Sequence, residues 1–197
     1  MNGITARQKE IIAAALDIIS DQGLEALTIE NIAARVGFSG AAVYRHFQNK
    51  AQILSTIIDL FARSSAQLLA RINACDCESL DKVKLFFLDR CRTFAGDPVL
   101  ATVMFAENLF QNDPQLAAKI HQVLGSHRRL LLTTIRNGKQ QKKIRDLPAE
   151  HLFTMVMGSL RLLVMQWRVS GYGFDLMRAG KKLWRSLETL ISIPIGG

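Results

Sequence analysis

Residues 28–50 read T-I-E-N-I-A-A-R-V-G-F-S-G-A-A-V-Y-R-H-F-Q-N-K, and the organisation of the chain follows from them. Ile29, Ile32, Ala33 and Val36 fall at i, i+3, i+4 and i+7, the spacing of one apolar face on a short helix. Thr28 stands ahead of that face, where its hydroxyl can cap a free first-turn amide, and Glu30 suits the positive end of the helix dipole. Gly37 predicts the stop, because glycine takes the left-handed conformation after a helix without strain. Ser39 offers a second cap, and Val43 and Phe47 supply the buried side of a second short helix. Two short helices joined by a tight turn make a helix-turn-helix.

The outward side of the second helix carries Ser39, Gly40, Ala41, Ala42, Tyr44, Arg45 and His46, with Lys50 directly after it. From Asn31 to Lys50 there is no acidic residue, while Arg35, Arg45 and Lys50 are basic. Such a face suits a polyanion. An ordinary helical hairpin with a solvated face would share the periodicity, but not the agreement of caps, turn and charge.

The same stretch continued through A-Q-I-L, above all V-Y-R-H-F followed by N-K and a new helix, resembles the DNA-binding signature of TetR-family transcriptional regulators. The likeness is close over residues 5–60 and architectural beyond. It implies an all-α protein, with a helix-turn-helix DNA-binding domain at 1–50 and a helical ligand-binding and dimerisation domain at 51–197. It implies a homodimeric repressor released from a palindromic operator in double-stranded DNA by a small molecule. Carried over position by position, it gives Thr28, Tyr44 and Lys50 to backbone phosphates and Ser39, Gly40, Ala41, Ala42 and Arg45 to base edges, with His46 on the same face. The sequence departs from common family patterns at Gly40 and Ala41, where a larger polar or basic residue and a glycine or proline are frequent. These two can offer only backbone approach or a methyl contact to thymine, which leaves much of the readout to Arg45 and DNA shape.

The remainder of the chain agrees with a helical reading. The 197 residues are 49% hydrophobic with four prolines, which favours a folded core over disorder. No run approaches the roughly 18 apolar residues of a membrane span, and M-N-G-I-T-A-R-Q-K-E lacks the apolar core of a signal peptide, so a cytoplasmic protein without membrane contact is expected. Helices are predicted over residues 5–22, 50–72, 80–95, 99–110, 114–137, 148–167 and 174–193, with Ser79 and Asp113 as caps. Period-2 alternation and internal repeats are not found.

Charge is unevenly placed. The net charge is +8, from 25 basic and 17 acidic residues. Residues 1–50 are balanced, whereas Lys119, Arg128, Arg129, Arg136, Lys139, Lys142, Lys143 and Arg145 fall in a stretch, 114–145, that contains no acid. A solvated face, long-range steering towards DNA, and attraction of an anionic ligand are the three readings of that stretch.

Large deformable side chains crowd residues 80–165. The resemblance places a small-molecule cavity among these helices, with Phe87, Cys91, Met104, Phe105, Phe153 and Met157 as lining candidates and Glu107 and His121 as the polar groups that orient a mainly hydrophobic ligand. Plain core is the competing reading. The last two helices carry apolar stripes wider than a core needs, with Gly158-Ser159 permitting close approach, and are the expected homodimer interface.

Enzymatic motifs are not found: Gly37-Phe38-Ser39-Gly40 lacks the nucleophile-elbow spacing, and Gly171-x-Gly173 lacks a preceding strand and third glycine. No cofactor or metal is expected, since the histidines form no i, i+4 pair and Cys75-x-Cys77 would need two further ligands. An odd total of three cysteines predicts no disulfide framework. The alternative from another class is a ligand-independent architectural or nucleoid-associated DNA-binding protein, recognisable by salt-dominated, sequence-indifferent affinity.

Overall fold

The computed structural model describes residues 3–193; Met1 and Asn2, which begin the stretch read as lacking a signal peptide, lie outside the described residues. Among the described residues the chain is helical and has no strand, only an isolated bridge between Ile144 and Ser192. It forms two compact units.

The first unit comprises the described residues up to 62 together with Pro98–His121. Its helices are α1 (Ala6–Gln22), α2 (Ile29–Val36), α3 (Gly40–Tyr44), the start of α4 (Lys50–Ala74), α6 (Pro98–Met104), α7 (Glu107–Asn112) and the start of α8 (Pro114–Gln140). Thr5 and Gln8 close a reciprocal capping box at the start of α1, and a 3-10 turn at Leu24–Ala26 follows it. Ile11, Ala15 and Ile18 of α1 are buried with Leu27, Ile32, Val43 and Phe47, and α1 packs on both α2 and α6. Two five- to eight-residue helices bury too little surface to hold their own angle, and α1 supplies what they lack.

The helix at 99–110 is two helices. Helical bonding ends after Phe105, whose amide still donates to Ala101 O; the Ala106 amide turns to Val103 O and the Glu107 amide to Phe105 O at 3.0 Å, and the chain restarts as α7. Asp113 then caps α8, its Oδ1 accepting from the Gln115 and Leu116 amides at 2.9 and 3.1 Å. By length and composition α4 could cross a membrane. Its apolar residues Ile53, Leu54, Ile57, Ile58 and Phe61 are instead buried inside the protein. Asp59 on the same helix accepts an ion pair from Lys119 at 2.6 Å.

The second unit comprises Arg63–Asp97 and the described residues from 122 onward. It adds α5 (Ser79–Gly96), α9 (Ala149–Val169) and α10 (Leu176–Ile191) to the ends of α4 and α8. α10 packs mainly on α5 and α9, burying Trp184, Leu187 and Ile191 with Val83, Phe87, Phe94, Val156, Leu160 and Val164. A Cβ at Gly180 would stand 2.7 Å from Cys91 Sγ, so a larger residue there would force Cys91 or α10 to shift.

Two sequence expectations are corrected here. Ser79 is not the cap of α5 but its first residue; it is buried, and its hydroxyl donates to Gln141 Oε1 at 3.3 Å while Glu78 holds the cap position. Cys75 and Cys77 are joined by a disulfide in the α4–α5 loop, contrary to the expectation from the odd total. One intervening residue in a loop leaves the Cα atoms 5.3 Å apart, within the range a disulfide spans.

Candidate nucleic-acid interface

The turn of the helix-turn-helix is built as its residues dictate. Thr28 Oγ1 accepts from the Asn31 amide at 3.1 Å, and Ser39 Oγ accepts from the Ala42 amide at 3.2 Å. Gly37 sits at φ 71°, in the left-handed region, with its amide donating to Ala33 O. Fully buried Val43 pins α3, and Gln8 Nε2 reaches His46 O at 3.5 Å, tying α1 to the segment after α3. Asn49 Oδ1 accepts from the Gln52 amide at 2.9 Å, which sets the start of α4 and puts Lys50 at its first residue.

Held this way, the chain presents Ser39, Ala41, Tyr44, Arg45 and Lys50 to solvent; Thr28, Gly40, Ala42 and His46 are half-buried. Tyr44 is 52% exposed, an unusual position for a large aromatic side chain. Among the described residues Arg45 and Lys50 have no carboxylate partner, whereas Arg35 is held by Asp21 at 3.0 Å. Arg35 thus leaves the cationic face that the sequence assigned it to, neutralised by an acid 14 residues earlier. What remains is a phenol at the end of α3, a guanidinium and an ammonium, beside Gly40, Ala41 and Ala42, which present nothing larger than a methyl group. That arrangement can donate to phosphates through Tyr44 and Lys50 and bring the backbone of α3 close to base edges, with Arg45 as its one long donor.

The eight residues expected around a ligand fall in both units. Phe87 and Cys91 are fully buried in the second, Phe87 against Trp184 at 5.6 Å between ring centres and Cys91 beneath Gly180. Burial pushes the Cys91 thiol up to about 12. Phe153 and Met157 on α9 are half-buried. Met104 is buried and Phe105 half-buried in the first unit, where Glu107 and His121 are both exposed rather than enclosed among apolar groups.

The polar groups enclosed in the second unit are others. Arg90 is 2% exposed and donates to Ser65 Oγ at 2.9 Å and to Asp89 Oδ2 at 2.8 Å. Burial lowers its pKa. His127 stacks edge-on to Phe86 at 5.0 Å, and burial, with the nearby Arg90 charge, lowers it to about 4. The signal for Arg90 was present: it occupies a stripe position between Phe86, Phe87 and Phe94, where a cation is out of place unless buried and bonded. Among the described residues no three His, Cys, Asp or Glu side chains gather as a metal site would require.

A capped and buttressed helix-turn-helix with an unpaired cationic face defines a DNA-binding regulator. The chain matches the model for bacterial regulatory proteins of the tetR family over residues 11–57, and the model for the C-terminal region of YsiA-like proteins over residues 58–189. It belongs to the TetR family of DNA-binding transcription regulators. Similar proteins include a fatty acid metabolism regulator protein of Bacillus subtilis (strain 168), 27% identical over 93% of each chain. The nucleoid occlusion factor SlmA of Photobacterium profundum is 28% identical over 74% of this chain and 72% of that one. Among solved structures, FadR of Bacillus subtilis in complex with stearoyl-CoA superposes with a TM-score of 0.72 at 24% identity, covering 91% of this chain and 96% of that one.

Proposed function

We propose that this chain is a homodimeric repressor that reads a palindromic operator through α3 and is released by a small, mainly hydrophobic ligand. The observation that carries the reading is the exposed trio of Tyr44, Arg45 and Lys50 without carboxylate partners on a helix-turn-helix. Dimerisation is supported by α9, which leaves Leu162, Met165 and Val169 exposed at 50%, 50% and 83% on one stripe with Gly158 open beside them. α10 adds Leu190, 56% exposed. Two such helices from each subunit would make a four-helix bundle. A two-fold dimer would read half-sites about one helical turn, or a multiple of it, apart. The fatty acid metabolism regulator among the relatives and the stearoyl-CoA held by FadR favour a fatty acyl compound as the ligand. It would act by favouring a separation of reading heads that the operator does not match, through the helix that begins at Lys50.

The SlmA relatives favour a second reading, in which the protein binds DNA as a nucleoid-associated factor without a ligand. Selection of bound sequences from random DNA at near-physiological salt separates the two. A palindromic consensus is the outcome expected of the repressor. Salt-sensitive binding without a consensus would remove the ligand switch and leave the second reading.

A further inference from the structure

The acid-free basic stretch is not uniformly solvated. Lys119 pairs with Asp59, Arg128 with Glu150 at 2.6 Å, Lys139 with Asp146 at 2.9 Å and Lys143 with Glu78 at 3.0 Å; Arg136 approaches Glu150 at 4.0 Å. Arg129 has no such partner among the described residues. It lines a cavity of about 460 Å³ in the second unit, between the end of α4, the start of α5 and the second half of α8. Lys82 of α5, also without a carboxylate partner, lines the same cavity, and no Asp or Glu does. Two cations facing one concavity with no acid repel each other, and an anion between them relieves that.

Part of the neutral lining can donate, although the Ser126 and Ser79 hydroxyls are already given to Val123 O and Gln141 Oε1. Thr133 brings a hydroxyl, and Asn73 and Asn137 bring amides. Gln141 uses its carbonyl oxygen to accept from Ser79, which leaves its amide N–H groups for the cavity. Leu69 and Leu130 give the remainder an apolar surface. A simple carboxylate presents two oxygens and one charge; a phosphate ester presents three oxygens and up to two charges, and uses more of what lines this wall. The volume lies within the roughly 300–1,000 Å³ of small-molecule sites.

We infer that this groove binds a phosphate ester, with Lys82 and Arg129 neutralising the phosphate and Asn73, Thr133, Asn137 and Gln141 donating to its oxygens and to ligand hydroxyls. The site shares no residue with the apolar candidates above. It stands apart from the operator reading, because its binding is measured without DNA and either can fail alone.

The test is calorimetric titration of the full chain, at roughly 0.15 M salt, with ADP and separately with octyl phosphate. Tighter binding of ADP identifies a free phosphorylated metabolite as the source of the phosphate. Tighter binding of octyl phosphate identifies the phosphorylated end of an amphiphile. In either case the double variant Lys82→Gln/Arg129→Gln should lose about tenfold or more in affinity. Arg136→Gln, outside the groove and beside Glu150, should retain the wild-type value. Both substituted groups lie outside the core, so folding is checked by an unchanged melting temperature. No binding of either probe, or wild-type affinity in the double variant, would overturn the inference.

Discussion

The proposed DNA-reading face of the first unit and the interior of the second are built on opposite plans. At the reading face, Tyr44, Arg45 and Lys50 come from one continuous stretch and are exposed, while the residues that hold them, Val43, Phe47 and Ile32, are buried. The proposed DNA contacts of this trio and the packing of the face are assigned to different side chains, while Thr28 and Ser39, which cap α2 and α3, belong to both groups. In the second unit, Phe87 and Cys91 are enclosed together with Arg90 and His127, so these two ligand candidates are at the same time part of the core. On the proposed roles, Tyr44, Arg45 and Lys50 can be substituted without touching the core, whereas Phe87 and Cys91 cannot.

The largest break in that comparison is Phe87→Ala. Phe87 is fully buried against Trp184, and its removal should cost about 3–5 kcal/mol in urea unfolding. A loss below about 1 kcal/mol would show the site to be loosely packed already.

Next is acid. Burial and Arg90 hold His127 neutral in the folded protein down to about 4, whereas in the unfolded chain it takes a proton near the ordinary 6.5. Protons therefore favour unfolding between those values. The stability His127 contributes is whole above the unfolded value and is lost as the pH falls through the folded one, by up to about 3 kcal/mol. His127→Leu should flatten this slope relative to wild type, whatever it does to absolute stability. Parallel pH profiles would refute the burial argument.

On the other side of the comparison, Tyr44→Phe should leave the melting temperature unchanged and weaken binding to every DNA sequence by about 0.5–2 kcal/mol. Unaltered affinity in a fluorescence anisotropy titration would take Tyr44 out of the interface. The smallest effect sharpens the boundary between the two roles. Thr28 both caps α2 and is a phosphate candidate, so Thr28→Ala should cost about 1 kcal/mol of stability through the lost cap. A larger proportional loss in DNA affinity than in stability would separate the second role from the first.

What could be read from the sequence follows the same division. Thr28, Gly37 and Ser39 stand as expected because caps and a left-handed turn are decided within a few residues of one another. The break between α6 and α7 was not legible, because Met104-Phe105-Ala106-Glu107 carries no proline or glycine to force it. Asp21 reaching Arg35, and Glu150 reaching Arg128, join residues 14 and 22 positions apart, a separation on which local charge counting is silent. The same blindness made residues 114–145 look uniformly unpaired and hid Arg129 and Lys82 as the pair that shares a cavity. The family resemblance implies a domain boundary at 50/51. That Pro98–His121 joins the first unit depends on α6 packing against α1, a contact with no signature in either segment. Exposed Glu107 and His121 mark where periodicity, which orders residues around a helix, could not say which neighbours would cover them.

The central claim is that residues 28–50 read DNA sequence and that Arg45 is their principal base-reading side chain. Its most direct test is parallel selection from random DNA with wild type and Arg45→Ala. The wild type should yield a palindrome; the variant should retain binding but lose preference at one position in each half-site, worth about 1–3 kcal/mol of discrimination there. An identical consensus from both proteins, or none from the wild type, would contradict it.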